Sequence, residues 1–104
     1  MPDPDEGEND AARQLDDVEA VFAALAHASR RHILLVLHFR GGEMTAGEIA
    51  ARFECSWPTT SRHLKVLMDA GLVEQHKRGR ERVYRLARER IDAVAGNWLG
   101  NFKA

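Results

Sequence analysis

Residues 45–86 read TAGEIAARFECSWPTTSRHLKVLMDAGLVEQHKRGRERVYRL, and two changes of rhythm inside this stretch decide the fold. Thr45 and Glu48 stand at the capping-box spacing, in which each side chain satisfies a backbone N–H at the start of a helix. Ile49, Ala50 and Phe53 fall on the face that such a helix would turn inward. Glu54-Cys55-Ser56 interrupts the pattern, so this helix is short. Ser56 can cap a new helix, with Pro58 tolerated in its first turn. Thr60, Leu64, Leu67 and Met68 line one side of that second helix, and Gly71 stops it. Beyond Gly71 the period falls to about two: Val73, Gln75, Lys77, a turn at Arg78-Gly79, then Arg82 to Leu86. This alternation predicts a β-hairpin with a basic tip.

Upstream, Leu15, Val18, Phe22 and Leu25 recur at helical spacing and mark a first helix. Ser29 is the expected N-cap of a second helix, whose Ile33, Leu34, Val36 and Leu37 make a wide buried face. Gly41-Gly42 ends it, and a short strand is expected near Met44. Downstream, Ile91, Val94, Ala95, Trp98, Leu99 and Phe102 form one apolar face of a last helix. The expected fold is mainly α with a small β-hairpin, in the order α-α-α-α-β-β-α, with no internal repeat. Residues 1–12 hold two prolines, Gly7 and many acids with almost no large apolar groups, and are expected to be a disordered acidic tail. Residues 13–104 are then a single domain.

A chain of 104 residues buries a smaller fraction of its surface than a longer one, so an apolar face covered by a second copy would add stability. The sequence lacks an apolar run near the roughly 18 residues that span a bilayer, and MPDPDEGEND lacks the basic and apolar regions of a signal peptide. A cytoplasmic protein with no membrane partner is expected. One cysteine, Cys55, rules out an internal disulfide and a multi-thiolate metal site within one chain.

The formal net charge of −1 conceals an asymmetry. Residues 1–26 hold eight acids against Arg13 alone, whereas residues 27–104 hold fourteen bases against eight acids. Residues 56–90 concentrate nine bases against four acids, and five of those nine lie between Lys77 and Arg85. A concentrated basic stretch is what a polyanion-binding surface requires.

Two short helices joined by a tight turn and followed at once by a basic hairpin make a specific arrangement. TTSRHLKVLMDAGLV (59–73) followed by GRERVYRL (79–86), with ALAHASRRHILLVL (24–37) upstream, closely resembles the winged helix-turn-helix of the ArsR family of bacterial and archaeal repressors. The resemblance runs from about Phe22 to Phe102 and implies a sequence-specific regulator that binds double-stranded DNA as a homodimer on a palindromic operator.

An α-helix fits the major groove while its inner face rests on the preceding helix. With Thr60, Leu64 and Leu67 inward, Trp57, Thr59, Ser61, Arg62 and Lys65 are left on or near the exposed side. By resemblance Ser61, Arg62 and His63 lie where family members meet DNA; alternatively His63 packs at the edge of the core. Arg62 can donate two hydrogen bonds to a guanine or else grip a phosphate. Trp57 replaces the small polar residue usual there and would either meet a thymine methyl or pack on the turn. Glu54 stands where many helix-turn-helix proteins have glycine. Lys77, Arg78, Arg80 and Arg82 resemble the wing, whose charge would meet phosphates or enter the minor groove. Arg30 and Arg31 are candidates for phosphate contacts or for internal salt bridges. The family's dimer interface implies roles for Leu15, Val18, Phe22, Trp98, Leu99 and Phe102, each of which could equally belong to the monomer core.

Many members of the family release DNA on binding metal. GEIAARFE lacks the cysteine pair of the cysteine-based sensors, and the last helix offers Asp92 without histidine. His27, His32, His38 and His76 are scattered over different elements. Neither a metal nor another cofactor is therefore expected. Cys55 falls where relatives place an inward apolar residue, so a buried, unreactive thiol is expected. A metal-responsive repressor and a winged helix that binds protein are the rival readings. An enzyme is not expected, because neither a Ser-His-Asp set, a phosphate-binding glycine loop nor a carboxylate pair appears.

Overall fold

The apolar residues at helical spacing collect on four helices: α1 (Pro4–Leu25), α2 (Ala28–Phe39), α3 (Ala46–Arg52) and α4 (Trp57–Asp69). The computed structural model describes residues 4–104, with side chains from residue 11 onward. Strands β1 (Glu43–Thr45), β2 (Val73–Arg78) and β3 (Glu81–Leu86) make an antiparallel sheet in the order β1-β3-β2. The short strand expected at Met44 thus extends the hairpin, with Met44 opposite Tyr84. The chain ends in a helical run of three pieces: α5 (Arg88–Ile91), a π-turn (Asp92–Gly96) and α6 (Asn97–Gly100).

The core forms where these elements meet. Val21, Leu37, Ile49, Leu64, Leu67, Leu72 and Val83 are fully buried, one or more from α1, α2, α3, α4 and the sheet. Each such side chain is worth about 1.5–3 kcal/mol relative to exposure, which is ample to hold short helices that would not form alone.

The capping box on α3 is complete: Glu48 N–H donates to the Thr45 hydroxyl and Thr45 N–H to the Glu48 carboxylate, both at 3.1 Å. The hydrogen bond from Thr45 N–H, more than any other influence, holds the Glu48 carboxyl below the usual carboxylate range. On α2 the expectation of Ser29 as cap is corrected. His27 holds the N-cap, and its ring Nδ1 accepts from Ser29 N–H at 3.3 Å. Ser56 does precede α4, but its hydroxyl donates to Thr59 Oγ1 at 3.1 Å and caps no backbone group.

Several further expectations shift. The helix beginning at Pro4 takes in residues 4–12 of the expected disordered tail, while residues 1–3 lie outside the described residues. Proline suits a first helical turn and acids suit a helix N-terminus. Ala50 is exposed, because on so short a helix Ile49 and half-buried Phe53 fill the inward face. The hairpin turn lies at Gly79-Arg80, one residue later than expected, since Arg78 pairs with Glu81. Gly79 there takes φ +64°, which suits a glycine in the first central position of a two-residue hairpin loop. Ala95, inside the π-turn, is buried, while Trp98 and Leu99 beyond it are exposed. Phe102 lies beyond the last residue of α6. Among the described residues, no single helix is long and apolar enough to cross a membrane.

Candidate nucleic-acid interface

Burying Thr60, Leu64 and Leu67 fixes the rotation of α4 about its own axis, and this rotation chooses the residues it shows to solvent. Arg62 and Lys65 are exposed; Trp57, Thr59, Ser61 and His63 are half-buried. The Arg62 guanidinium reaches back to Thr59 Oγ1 at 3.5 Å, a contact too long to hold it. Lys65 pairs with Asp69 at 2.9 Å, one turn on and equally exposed. Such a pair contributes about 0.3–0.5 kcal/mol, little enough for a phosphate to displace the carboxylate.

His63 and Trp57 are less free. The His63 ring lies against that of His27, with centroids 4.7 Å apart. Burial, followed by the positive fields of His27, Arg30 and Arg62, pushes its pKa below the usual imidazole value. The half-buried His63 ring thus rests against the residue that caps α2. Trp57 likewise packs against the core. Arg30 and Arg31 close the C-terminus of α1: Arg30 Nε donates to the Ala24 carbonyl at 2.7 Å, and Arg31 Nη1 to the Leu25 carbonyl at 2.7 Å. Their charge meets the negative end of that helix, which was neither of the two roles read from sequence.

The basic residues of the wing differ in what they pair with. At the base, Arg85 meets Glu74 at 3.4 Å and Glu89 at 3.7 Å. Arg78, beside the turn, reaches across to Glu43 of β1 at 3.2 Å. At the tip, Lys77 stands opposite Arg82 in register. Among the described residues, Lys77, Arg80 and Arg82 form no ion pair. Arg80 and Arg82 line an open cleft with Thr45, Ala46 and Gly47, so the tip stands beside the first residues of the helix-turn-helix.

Sequence reading missed two features. Arg52, at the end of α3, is exposed and lies 6.0 Å over the Phe53 ring. Leu35 and Phe39, four apart on α2, are 54% and 78% exposed. Their signal was present, since Leu35 lies off the face that buries Leu34 and Leu37. Conversely, Cys55 is exposed and not buried. The chain between Arg52 and Trp57 leaves the helical path, and Phe53 takes the inward place. On the apolar side, Phe22 and Trp98 meet edge to face at 5.3 Å, and Trp98 and Phe102 lie 5.0 Å apart. Val18 and Phe22 are half-buried, whereas Leu15 is 67% exposed. Among the described residues, three or more His, Cys, Asp or Glu side chains nowhere gather as a metal ion would need.

A short helix, a turn, a second helix with a polar outer face and a basic hairpin beside them define the winged helix-turn-helix. The family described as "Helix-turn-helix domain" matches residues 25–76. The chain is 40% identical to the transcriptional repressor SdpR of Bacillus subtilis (strain 168), over 79% of this chain and 88% of that one. It is 33% identical to an arsenical resistance operon repressor of Staphylococcus xylosus, over 78% of this chain and 76% of that one. A solution structure of a homodimeric winged helix-turn-helix DNA-binding domain from Mycobacterium bovis superposes with a TM-score of 0.71 at 32% identity, covering 86% of this chain and 82% of that one. The chain belongs to the ArsR family of helix-turn-helix transcriptional regulators.

Proposed function

We propose that this regulator is a homodimeric repressor that binds a palindromic DNA site without metal, and that it acts in the cytoplasm by binding and not by catalysis. The observation that carries the reading is an excess of unpaired cations about the hairpin turn: among the described residues Lys77, Arg80 and Arg82 stand without carboxylate partners, while Arg78 between them pairs with Glu43 and Arg85, at the base, with Glu74. In this reading α4 enters the major groove, with Arg62 on a base edge and Thr59, Ser61 and Lys65 beside it. Trp57 and His63 set the helix in place, and Arg30 and Arg31 act as caps before they act on phosphate. Leu15, Val18, Phe22, Trp98, Leu99 and Phe102 meet a second copy, so that two recognition helices stand about 34–36 Å apart, one turn of DNA. Residues 13–104 are the DNA-binding unit, and the acids of residues 1–12 lie outside it.

Selection of duplexes from a random pool, with sedimentation of the protein at micromolar concentration, tests the reading. A dimer that enriches an inverted repeat with half-sites about 10–10.5 base pairs apart is expected. A monomer, or a pool that yields no motif, would contradict it. Adding zinc, cadmium, arsenite or a chelator should leave the affinity for the selected duplex unchanged; a ten-fold shift with any of them would overturn the metal-free part.

A further inference from the structure

Arg90 does not belong to either surface described above. It extends from α5 beneath the corner that ends α4, and its fork closes on α1, where Nη2 meets Asp17 Oδ1 at 3.1 Å and Nη1 meets Oδ2 at 3.5 Å. Its Nε is buried and, among the described residues, has no hydrogen-bond partner. A Cβ placed on Gly71 would stand 3.1 Å from that Nε and 3.6 Å from Cδ, so the Arg90 side chain lies directly over the glycine that ends the recognition helix. Gly71 also has φ +77°, a conformation that L side chains rarely adopt. Leaving a guanidinium Nε buried and unpaired costs free energy, and the solvated pair with Asp17 returns only part of it. Placing an arginine here is therefore poorly explained by stability alone.

What the placement does achieve is a connection. One side chain, carried on α5, ties α1, part of the proposed dimer face, to the corner that ends the proposed recognition helix. We propose that Arg90 is a positioning residue that fixes the angle between the recognition helix and the dimerisation helices, and with it the half-site spacing that the dimer accepts. Asp17 is the anchor that holds the fork. This inference rests on the DNA-binding dimer proposed above. It adds that a polar strut shares in setting the spacing: the packing of Leu64, Leu67 and Leu72 holds α4 and the corner after it against the core, and Arg90 ties that corner to α1.

The test uses the full chain and a duplex selected from a random pool by the wild-type protein, together with versions lengthened or shortened by two base pairs at the centre and one carrying a single half-site. Two base pairs displace a half-site by about 7 Å. Wild type should lose roughly ten-fold or more on either change, because two linked contacts gain affinity only when the geometry permits both. In Arg90→Gln and Asp17→Asn the dimer and the half-site affinity should persist, while the three centre lengths should bind within about three-fold of one another. If Arg90→Gln does not fold, Asp17→Asn, which leaves the buried arginine stem intact, decides the matter. Variants that keep the wild-type spacing profile, or that lose the dimer itself, would overturn the strut. A wild type that selects no duplex would instead overturn the DNA-binding reading beneath it.

Discussion

The wing and α4 form one face of this molecule, and α1 with the C-terminal helical run forms another; they differ in what has been left unsatisfied. On the first face the unsatisfied groups are charges: Arg62, Lys77, Arg80 and Arg82, exposed and without ion pairs among the described residues. On the second they are apolar side chains, Leu15, Trp98, Leu99 and Phe102, exposed by 43% to 71%. Each kind of deficit suits a different partner. A row of phosphates answers the charges and is screened by salt, whereas a second apolar face answers the leucines and aromatics and is not. The two associations should therefore separate experimentally, one failing in salt and the other persisting.

The largest effect should come from breaking the apolar face. Trp98→Asp with Leu99→Asp places charge where a second copy would bury apolar surface. Sedimentation should show a monomer, and affinity for a two-half-site duplex should fall by about 10²–10⁴, while the single half-site is bound as before. A variant that remained dimeric would move the interface elsewhere, with Leu35 and Phe39 of α2 the next apolar surface to test.

Within the charged face, Arg62→Ala and Arg80→Ala should differ in kind. Loss of Arg62 should cost about 1–3 kcal/mol and relax preference at one base position. Loss of Arg80 should weaken binding to all sequences alike and reduce the salt slope by about one. If both variants bound as wild type in a competition assay, the assignment of this face would be wrong.

How this face was legible from sequence, and where it was not, follows from the range of the interactions involved. The α3 capping box, the inward set of α4 and the hairpin are local: their residues lie within one turn or one strand pair of each other, so spacing reveals them. Arg30 and Arg31 on the α1 carbonyls, and Arg90 on Asp17, are not, because they join residues that approach only after the helices pack; the His27 cap is local, but histidine is not among the usual capping residues. Cys55 was misplaced by carrying over an inward apolar position of relatives into a turn where, in this chain, half-buried Phe53 takes the inward place. The π-turn at Asp92–Gly96 was not legible in the apolar spacing, which puts Trp98 and Leu99 on the same face as buried Ala95. The family resemblance suggested the wing residues as a set but did not reveal that Arg78 among them is engaged by Glu43.

That pairing gives a smaller effect. Glu43→Gln should release Arg78 and raise DNA affinity, by no more than about 1 kcal/mol for an exposed pair, with a steeper salt dependence. Unchanged affinity would mean that Arg78 stands away from the phosphates in either state. Smaller still is a pH effect on the fold. The His63 pKa is lowered chiefly by burial, so the unfolded chain binds a proton more readily than the folded one. Its contribution is present above the ordinary imidazole value of 6.5 and is lost as pH falls through the lower folded value. Thermal melts should show stability falling on acidification below about pH 6.5, with a shallower fall in His63→Gln. Identical pH profiles would remove His63 from the account.

A salt titration tests most directly whether the unpaired cations of the wing bind the phosphates of double-stranded DNA while Arg62 of α4 meets a base edge. The equilibrium constant for a selected duplex, measured from about 50 to 200 mM salt, should fall by about 10³–10⁵ for six to ten phosphate contacts, linearly on logarithmic axes. The dimer should persist throughout that range. An affinity independent of salt, with the duplex still bound, would contradict the assignment of these residues to DNA.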